Sequence, residues 1–290
     1  MKGFKFYVAF FLSSFFLHAN PPNDNFFYSS FFNLTEQELD EYVKDFFENI
    51  YEPSFSQNGG GMHSPDMFSL YLTLKMVQPT VVIESGVWKG ESTKVIRKTL
   101  GKDCKIICLD PSRMKRYTDR NPNTINKTGS KFIDFSNLNL DAYHGEKILV
   151  FFDDHINAPR RLLEAYSKGI THVFFNDNWP LDGGSHVSIE HVIKLDERSR
   201  NTQILSFLDN ELNSSHPSLL KGVEELKKEI LPIIKQYHLF PNFFDSNIFL
   251  VEGIFKTDGF FPLTDDNINK YKLFFDEKQT YCWNTYIELY

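Results

Sequence analysis

The stretch VVIESGVWKGEST, Val81 to Thr93, decides how the rest of the chain is read. An apolar run closes on Glu84, Gly86 and Gly90 frame a short loop, and Ser92 and Thr93 open a helical pattern. A buried strand that turns through glycines into a helix is a building unit of a parallel α/β sheet. The glycines permit positive φ and close approach of a ligand to the backbone, and the helix from Ser92 presents free N–H groups at its start. The spacing is E-x-G-x-x-x-G. It departs from the dinucleotide pattern because Val87, Trp88 and Lys89 separate the glycines, and no lysine-plus-hydroxyl pair follows Gly90. Trp88 can stack on a ligand or pack the loop.

The same alternation continues downstream. Lys105–Leu109 reads as a second strand ending in Asp110 and Pro111, and Lys131–Phe135 as a third. Ile148–Phe152 is a fourth, ending in Asp153 and Asp154. A helix over Pro159–Lys168, closed by Gly169, leads to a fifth strand, Thr171–Phe175, ending in Asn176, Asp177 and Asn178. Continuous apolar strands alternating with helices predict an α/β fold: a doubly wound, mostly parallel sheet with helices on both faces. Leu219, Val223, Leu226, Ile230 and Ile233 mark a long helix bent at Pro232, and Asn247–Phe255 a further strand.

Upstream, Thr35 and Glu38 form a capping-box pattern, so a helix is expected to about Tyr51, with Leu39, Val43, Phe46 and Phe47 on one face. Residues 20–60 read as a linker and N-terminal helical extension, and 61–290 as one domain, entered by a helix that Ser64 caps and Pro65 begins. Residues 1–19 differ in kind. Lys2 and Lys5 precede an apolar run, Phe6–Leu17, and Ala19 follows. This is the form of a secretory signal peptide or short anchor, shorter than the roughly 20 residues of a comfortable membrane span. It predicts an exported or membrane-anchored chain, or an anchored one whose domain faces the cytoplasm.

The net charge of -7 and the lack of a long basic run argue against general nucleic-acid binding. Cys104, Cys108 and Cys282 are odd in number and lack metal-type spacing, so core or surface filling is expected of them.

In an open parallel sheet, ligands bind beyond the carboxyl ends of the strands where the topology switches direction. The polar residues Glu84, Asp110, Asp153, Asp154, Asp177 and Asn178 gather at those ends. Asp110 suits the diol of a ribose, or a turn before Pro111.

With these residues in place, the chain resembles the Rossmann-like S-adenosylmethionine (SAM)-dependent methyltransferases. Residues 84 to 90 match their first motif. The segment ILVFFDDHINAPRRLLEAYSKGITHVFFNDNWP, Ile148 to Pro180, resembles the metal-dependent O-methyltransferases more narrowly: the catechol type and the cephalosporin hydroxylase/macrocin O-methyltransferase-like group. The resemblance implies SAM held by Glu84, Gly86, Trp88, Gly90, Ser92 and Asp110. It implies a divalent ion on Asp153 or Asp154, with Asp177 and Asn178. Oxygen ligands of this kind suit Mg²⁺, Ca²⁺ or Mn²⁺. The lysine base of the catechol type has no counterpart here. His155 is the candidate base, or a surface hydrogen-bonding residue, and His186 a second candidate. The implied activity is O-methylation of a small-molecule or sugar hydroxyl. An exported, non-catalytic binding protein on the same fold is the alternative, favoured by the signal-like segment because SAM is a cytosolic cofactor. An oxidoreductase or hydroxylase-like relative is the third reading. The pattern carries no oligomeric state.

Overall fold

The computed structural model describes residues 34–53, 59, 61–112, 116–180, 184–194, 222, 225–240, 264–277 and 283–290. The signal-like segment, Cys282, Gly183 and the strand expected at Asn247–Phe255 lie outside the described residues. No described helix is long and apolar enough to cross a membrane.

The sheet is the doubly wound one that the alternation predicts. Its seven described strands are β1 (Val81–Ser85), β2 (Lys105–Asp110), β3 (Thr124–Thr128), β4 (Ile148–Phe152), β5 (His172–Phe175), β6 (Ile234–Leu239) and β7 (Thr285–Leu289), in the order β3-β2-β1-β4-β5-β7-β6. The first five run parallel. β7 is antiparallel to both β5 and β6. The direction of winding reverses between β1 and β4, which are hydrogen-bonded neighbours, so the switch-point crevice opens above their carboxyl ends.

Side chains alternate across a strand, and both faces of this sheet are apolar. Val82, Ile106, Leu149, Phe151 and Phe174 point to one core, with Val95 and Ile96 of α3 (Glu91–Leu100) and Leu70 and Leu74 of α2 (Ser64–Val77). Val81, Ile83, Val150, Phe152 and Val173 point to the other, with Leu162 and Ala165 of α4 (Ala158–Ser167). The N-terminal helix α1 (Glu36–Asp45) begins with the expected capping box at Thr35 and Glu38, then loosens into a π turn, Phe46–Ile50. Phe46 packs on Phe68, Tyr71 and Phe274, which joins this helix to the first core.

Several expectations are corrected. The third strand is Thr124–Thr128, whereas Gly129–Lys131 and Phe135–Asn137 are 3-10 turns. His63, one residue before Ser64, is the N-cap of α2, and Pro65 falls in its first turn. The helix expected through Ile233 gives way to a 3-10 turn at Leu231–Ile233 containing Pro232, and β6 starts at Ile234. Cys104 and Cys108 are both buried, and burial pushes the Cys104 thiol up to about 11.

Candidate active site

The loop from β1 to α3 is shaped by contacts of chain on chain. Gly86 has φ +91°, and a Cβ there would lie 2.1 Å from the carbonyl oxygen of Asp153. Gly90 has φ +85°, and a Cβ would meet the Tyr117 carbonyl oxygen at 2.4 Å. Positive φ was expected at both. What approaches them is this protein's own backbone: the start of the β4–α4 loop at Gly86 and the segment after β2 at Gly90.

The acids expected to face a cofactor are engaged inside the fold. Glu84 lies within β1, one residue before its end, and is fully buried. Its carboxylate accepts from the Ser92 hydroxyl at 2.5 Å and the Thr93 hydroxyl at 2.6 Å, so it fastens β1 to the first turn of α3. Glu84 and Ser92 are therefore committed to each other. Asp110 closes β2, and its Oδ2 accepts the backbone N–H groups of Val87 and Trp88, both at 2.7 Å. Its Oδ1 accepts the N–H of Ser112 at 2.6 Å. A carboxylate has roughly four lone-pair positions, so one on Oδ1 is left for another donor. Asp110 is first of all the clasp of the glycine loop. It holds Trp88 at φ +46°, with the indole partly exposed.

At the end of β4 the chain alternates sides. Asp153 faces Asp177 and His155; one ligand atom from each lies within 4.8 Å of the others. His155 Nδ1 is 3.4 Å from Asp177 Oδ2. Asp154 faces the opposite way. Its Oδ2 accepts from the Ser85 hydroxyl at 2.6 Å and from Arg161 Nε at 3.0 Å. Of the two candidates for first metal ligand, Asp153 joins the cluster and Asp154 belongs to an ion network.

Asn178 is also turned away from the cluster. Its Nδ2 donates to the Tyr237 hydroxyl at 2.8 Å, and its Oδ1 accepts the Glu190 N–H at 3.1 Å. The Tyr237 hydroxyl in turn donates to Glu190 Oε2 at 2.6 Å. The expected ligand is a buried strut between β5, β6 and α5 (Ile189–Lys194). His155 takes its place beside the two aspartates. Its position two residues after Asp153 is the available signal, and the sequence offers it as a base or as a surface hydrogen-bonding residue.

Burial raises the Asp153 carboxyl well above the usual range. Asp177, Glu84 and Asp154 add to this, against the Asn176 amide, which donates to it at 3.1 Å. Asp177 is also raised, by burial, with His155 opposing. The neighbouring carboxylates that add to the rise at Asp153 are charges that a cation seated beside it would offset. His186 is buried and its ring is pushed down to about 4 by burial, with His155 and His191 adding. Ser185 Oγ lies 3.3 Å from His155 Nδ1 and 3.1 Å from His186 Nδ1, so it bridges the two imidazoles.

Backbone strain gathers at the same place. Outside Gly, positive φ occurs among the described residues at Gln78, Trp88, His155 and Asp177. Gln78 is an ordinary left-handed C-cap of α2. The other three belong to the loops that follow β1, β4 and β5, around one crevice. Strained non-glycine residues persist where the surroundings over-determine them, and they cluster at functional sites.

The two carboxylates fit a small divalent cation, with the His155 imidazole close beside them. No family model and no curated protein matches the chain. Solved structures similar to it include the O-methyltransferase TomG from Streptomyces achromogenes, involved in tomaymycin synthesis and bound to SAM. It is 12% identical over 88% of this chain and 99% of that one, with a TM-score of 0.47. The methyltransferase PaMTH1 of Podospora anserina, bound to S-adenosylhomocysteine (SAH), is 14% identical over 72% of this chain and 84% of its own, with a TM-score of 0.38. An O-methyltransferase from Bacillus cereus, in complex with SAH, is 11% identical over 91% of this chain and 96% of its own, with a TM-score of 0.35. Likeness at this level carries no argument about activity, which rests on the residues of the crevice.

Proposed function

We propose that the protein is a SAM-dependent O-methyltransferase acting on a hydroxyl of a small molecule or sugar, assisted by a divalent cation. The observation that carries this reading is the convergence of Asp153, His155 and Asp177 above the switch point between β1 and β4. Asp153 and Asp177 would hold the cation, which when bound lowers the pKa of a coordinated hydroxyl. His155 carries the proton. Its Nδ1 faces Asp177 and leaves Nε2 as the ring nitrogen that accepts the acceptor's hydroxyl proton. Asp177 orients the ring. With SAM bound, the freed oxygen would take the methyl group in line as its bond to sulfur breaks and SAH leaves, and the crevice would contribute by holding the reacting atoms within about 3–3.5 Å. Trp88 and the remaining lone pair on Asp110 Oδ1 form the edge on which the adenosyl group would rest.

Calorimetry of the purified protein with SAM and with SAH, with and without Mg²⁺ or Mn²⁺, tests the reading. Binding that weakens at least tenfold in Asp110→Ala supports it. Absence of binding in a well-folded protein under every condition refutes it.

One observation favours a second reading, a non-catalytic binding protein on this fold. Glu84 and Asp110, the acids an adenosyl ligand would engage, are already occupied by Ser92, Thr93 and backbone N–H groups. Such a protein would fail to bind SAM yet keep a ligand in the same crevice. The proposal that residues 1–19 direct the chain to or across a membrane stands beside either reading. Sequencing the N-terminus of the protein from native cells tests it.

A further inference from the structure

We infer that Arg161 is a positioning residue for the crevice, acting through Asp154 to set the directions of Asp153 and His155. The inference rests on the metal-assisted reading above. Arg161 lies on α4, and only 1% of its side chain is exposed. Its guanidinium meets three carboxylates. It is bidentate to Asp134, NH1 to Oδ1 at 3.0 Å and NH2 to Oδ2 at 2.7 Å. NH1 also donates to Glu164 Oε2 at 2.7 Å. Nε and NH2 approach Asp154 Oδ2 at 3.0 and 2.8 Å. The rings of Phe135 and Phe152 lie under the cation, 5.9 and 5.7 Å away.

An ion network of this kind has a plain structural use, joining α4 to the segment before β4. What points further is the order of side chains in Asp153-Asp154-His155. The middle residue is held on one side by Arg161 and Ser85, while its two neighbours face Asp177 on the other. His155 sits at φ +54°, a left-handed conformation that a non-glycine residue keeps only with outside support. The support is visible. The Asp153 N–H donates to the Ser85 carbonyl at 2.8 Å, Gly86 lies against the Asp153 carbonyl, and Asp154 Oδ1 accepts the Ile156 N–H at 3.3 Å. Asp154 is therefore the pin of a short strained loop, and Arg161 holds the pin. With Arg161 removed, Asp154 is free to turn, and His155 can relax toward negative φ and away from Asp177.

The test uses the full chain and Mn²⁺ as the probe. Arg161→Lys keeps a cation but loses the fork, and Asp154→Asn keeps the shape but weakens the attraction. Glu164→Gln touches Arg161 without touching Asp154 and serves as control. Mn²⁺ affinity is measured by calorimetry well below each variant's melting temperature, together with the EPR line shape of the bound ion. Partners that orient metal ligands typically contribute 10–100-fold to affinity, so Arg161→Lys and Asp154→Asn are expected to bind Mn²⁺ at least tenfold more weakly, with an altered line shape. SAM affinity should stay within twofold, and Glu164→Gln should bind Mn²⁺ like wild type. A merely structural Arg161 would lower the melting temperature and leave Mn²⁺ affinity and line shape unchanged, which overturns the inference. If Arg161→Lys does not fold, Asp154→Asn and Ser85→Ala carry the same comparison. A wild-type protein that binds SAM but no Mn²⁺ refutes the metal-assisted reading itself, a result distinct from unchanged binding in the variants.

Discussion

Gly86 shows how much of this site is decided by one missing methyl group. A Cβ there would fall 2.1 Å from the Asp153 carbonyl oxygen, an atom of main chain that cannot step aside without moving the end of β4. Gly169 also has positive φ, +72°, but open space around it. Gly169→Ala should therefore cost only the left-handed backbone term, about 1–2 kcal/mol. Gly86→Ala should cost that and the clash, roughly 4 kcal/mol or more in urea denaturation, the range of severe substitutions. Equal costs for the two would show that the β4 loop yields easily. The glycine and its positive φ were legible in E-x-G-x-x-x-G, but its neighbour was not, because close approach to a ligand and close approach to another strand's loop ask for the same residue. The paired acids at Asp153 and Asp154 pose the same limit. Adjacent carboxylates send their side chains to different sides, and only the position of Arg161, eight residues on from Asp153, decides which one the crevice receives.

At the scale of elements, the well-read parts are those buried on both faces. Ile148–Phe152 is a strand at the bounds its apolar run predicts, because a central parallel strand has no polar face to blur them. The misplaced third strand, TINKT, is an edge strand that among the described residues pairs only with β2, and it is only partly buried. It has no apolar run to find. The apolar residues of the predicted segment include Phe135, which serves as a floor under Arg161 instead. That connection before β4 carries its own prediction. Arg161 holds the Asp134 carboxyl well below the usual carboxylate range, against burial and with help from Ser136. A lowered folded pKa contributes stability that is complete above the unfolded value of about 3.9 and is lost as pH falls through the folded value. Asp134→Asn should thus lower stability at pH 7 by about 1.5–3 kcal/mol, the range for hydrogen bonds to a charged group. The gap to wild type should close as melts are repeated from pH 5 down to pH 3 and below. A gap that widens with acidity contradicts the ion pair. Thr35→Ala tests a more local device: loss of the capping box should cost about 1 kcal/mol and leave crevice binding unaltered.

At the scale of the whole molecule, the sheet brings together the ends of β1, β4 and β5, which the chain separates by long helical crossovers. Hydrophobic alternation could foretell that convergence, since neighbouring parallel strands have their carboxyl ends on one edge. It could not foretell the antiparallel pair β6–β7, whose arrival beside β5 gives Asn178 its partners. Tyr237 comes from β6, and the Trp283 carbonyl that accepts the Asn178 N–H at 2.8 Å comes from the approach to β7. In the absence of those strands Asn178 reads as a third oxygen ligand; in their presence it is a strut. The two roles separate cleanly by experiment. Asp177→Asn removes a carboxylate from the cluster while keeping its shape, so Mn²⁺ binding should fall at least tenfold with only a small change in melting temperature. Asn178→Ala leaves the Asp153–His155–Asp177 cluster in place but takes from the Tyr237 hydroxyl its amide donor and from the Glu190 N–H its amide acceptor. It should lower stability by about 1–3 kcal/mol, the cost of leaving buried partners unsatisfied, with Mn²⁺ affinity within threefold of wild type. The reverse pattern, metal binding lost with Asn178 and kept without the Asp177 carboxylate, would mean that Asn178 turns into the crevice when the ion binds and that its amide oxygen, rather than the Asp177 carboxylate, is the ligand.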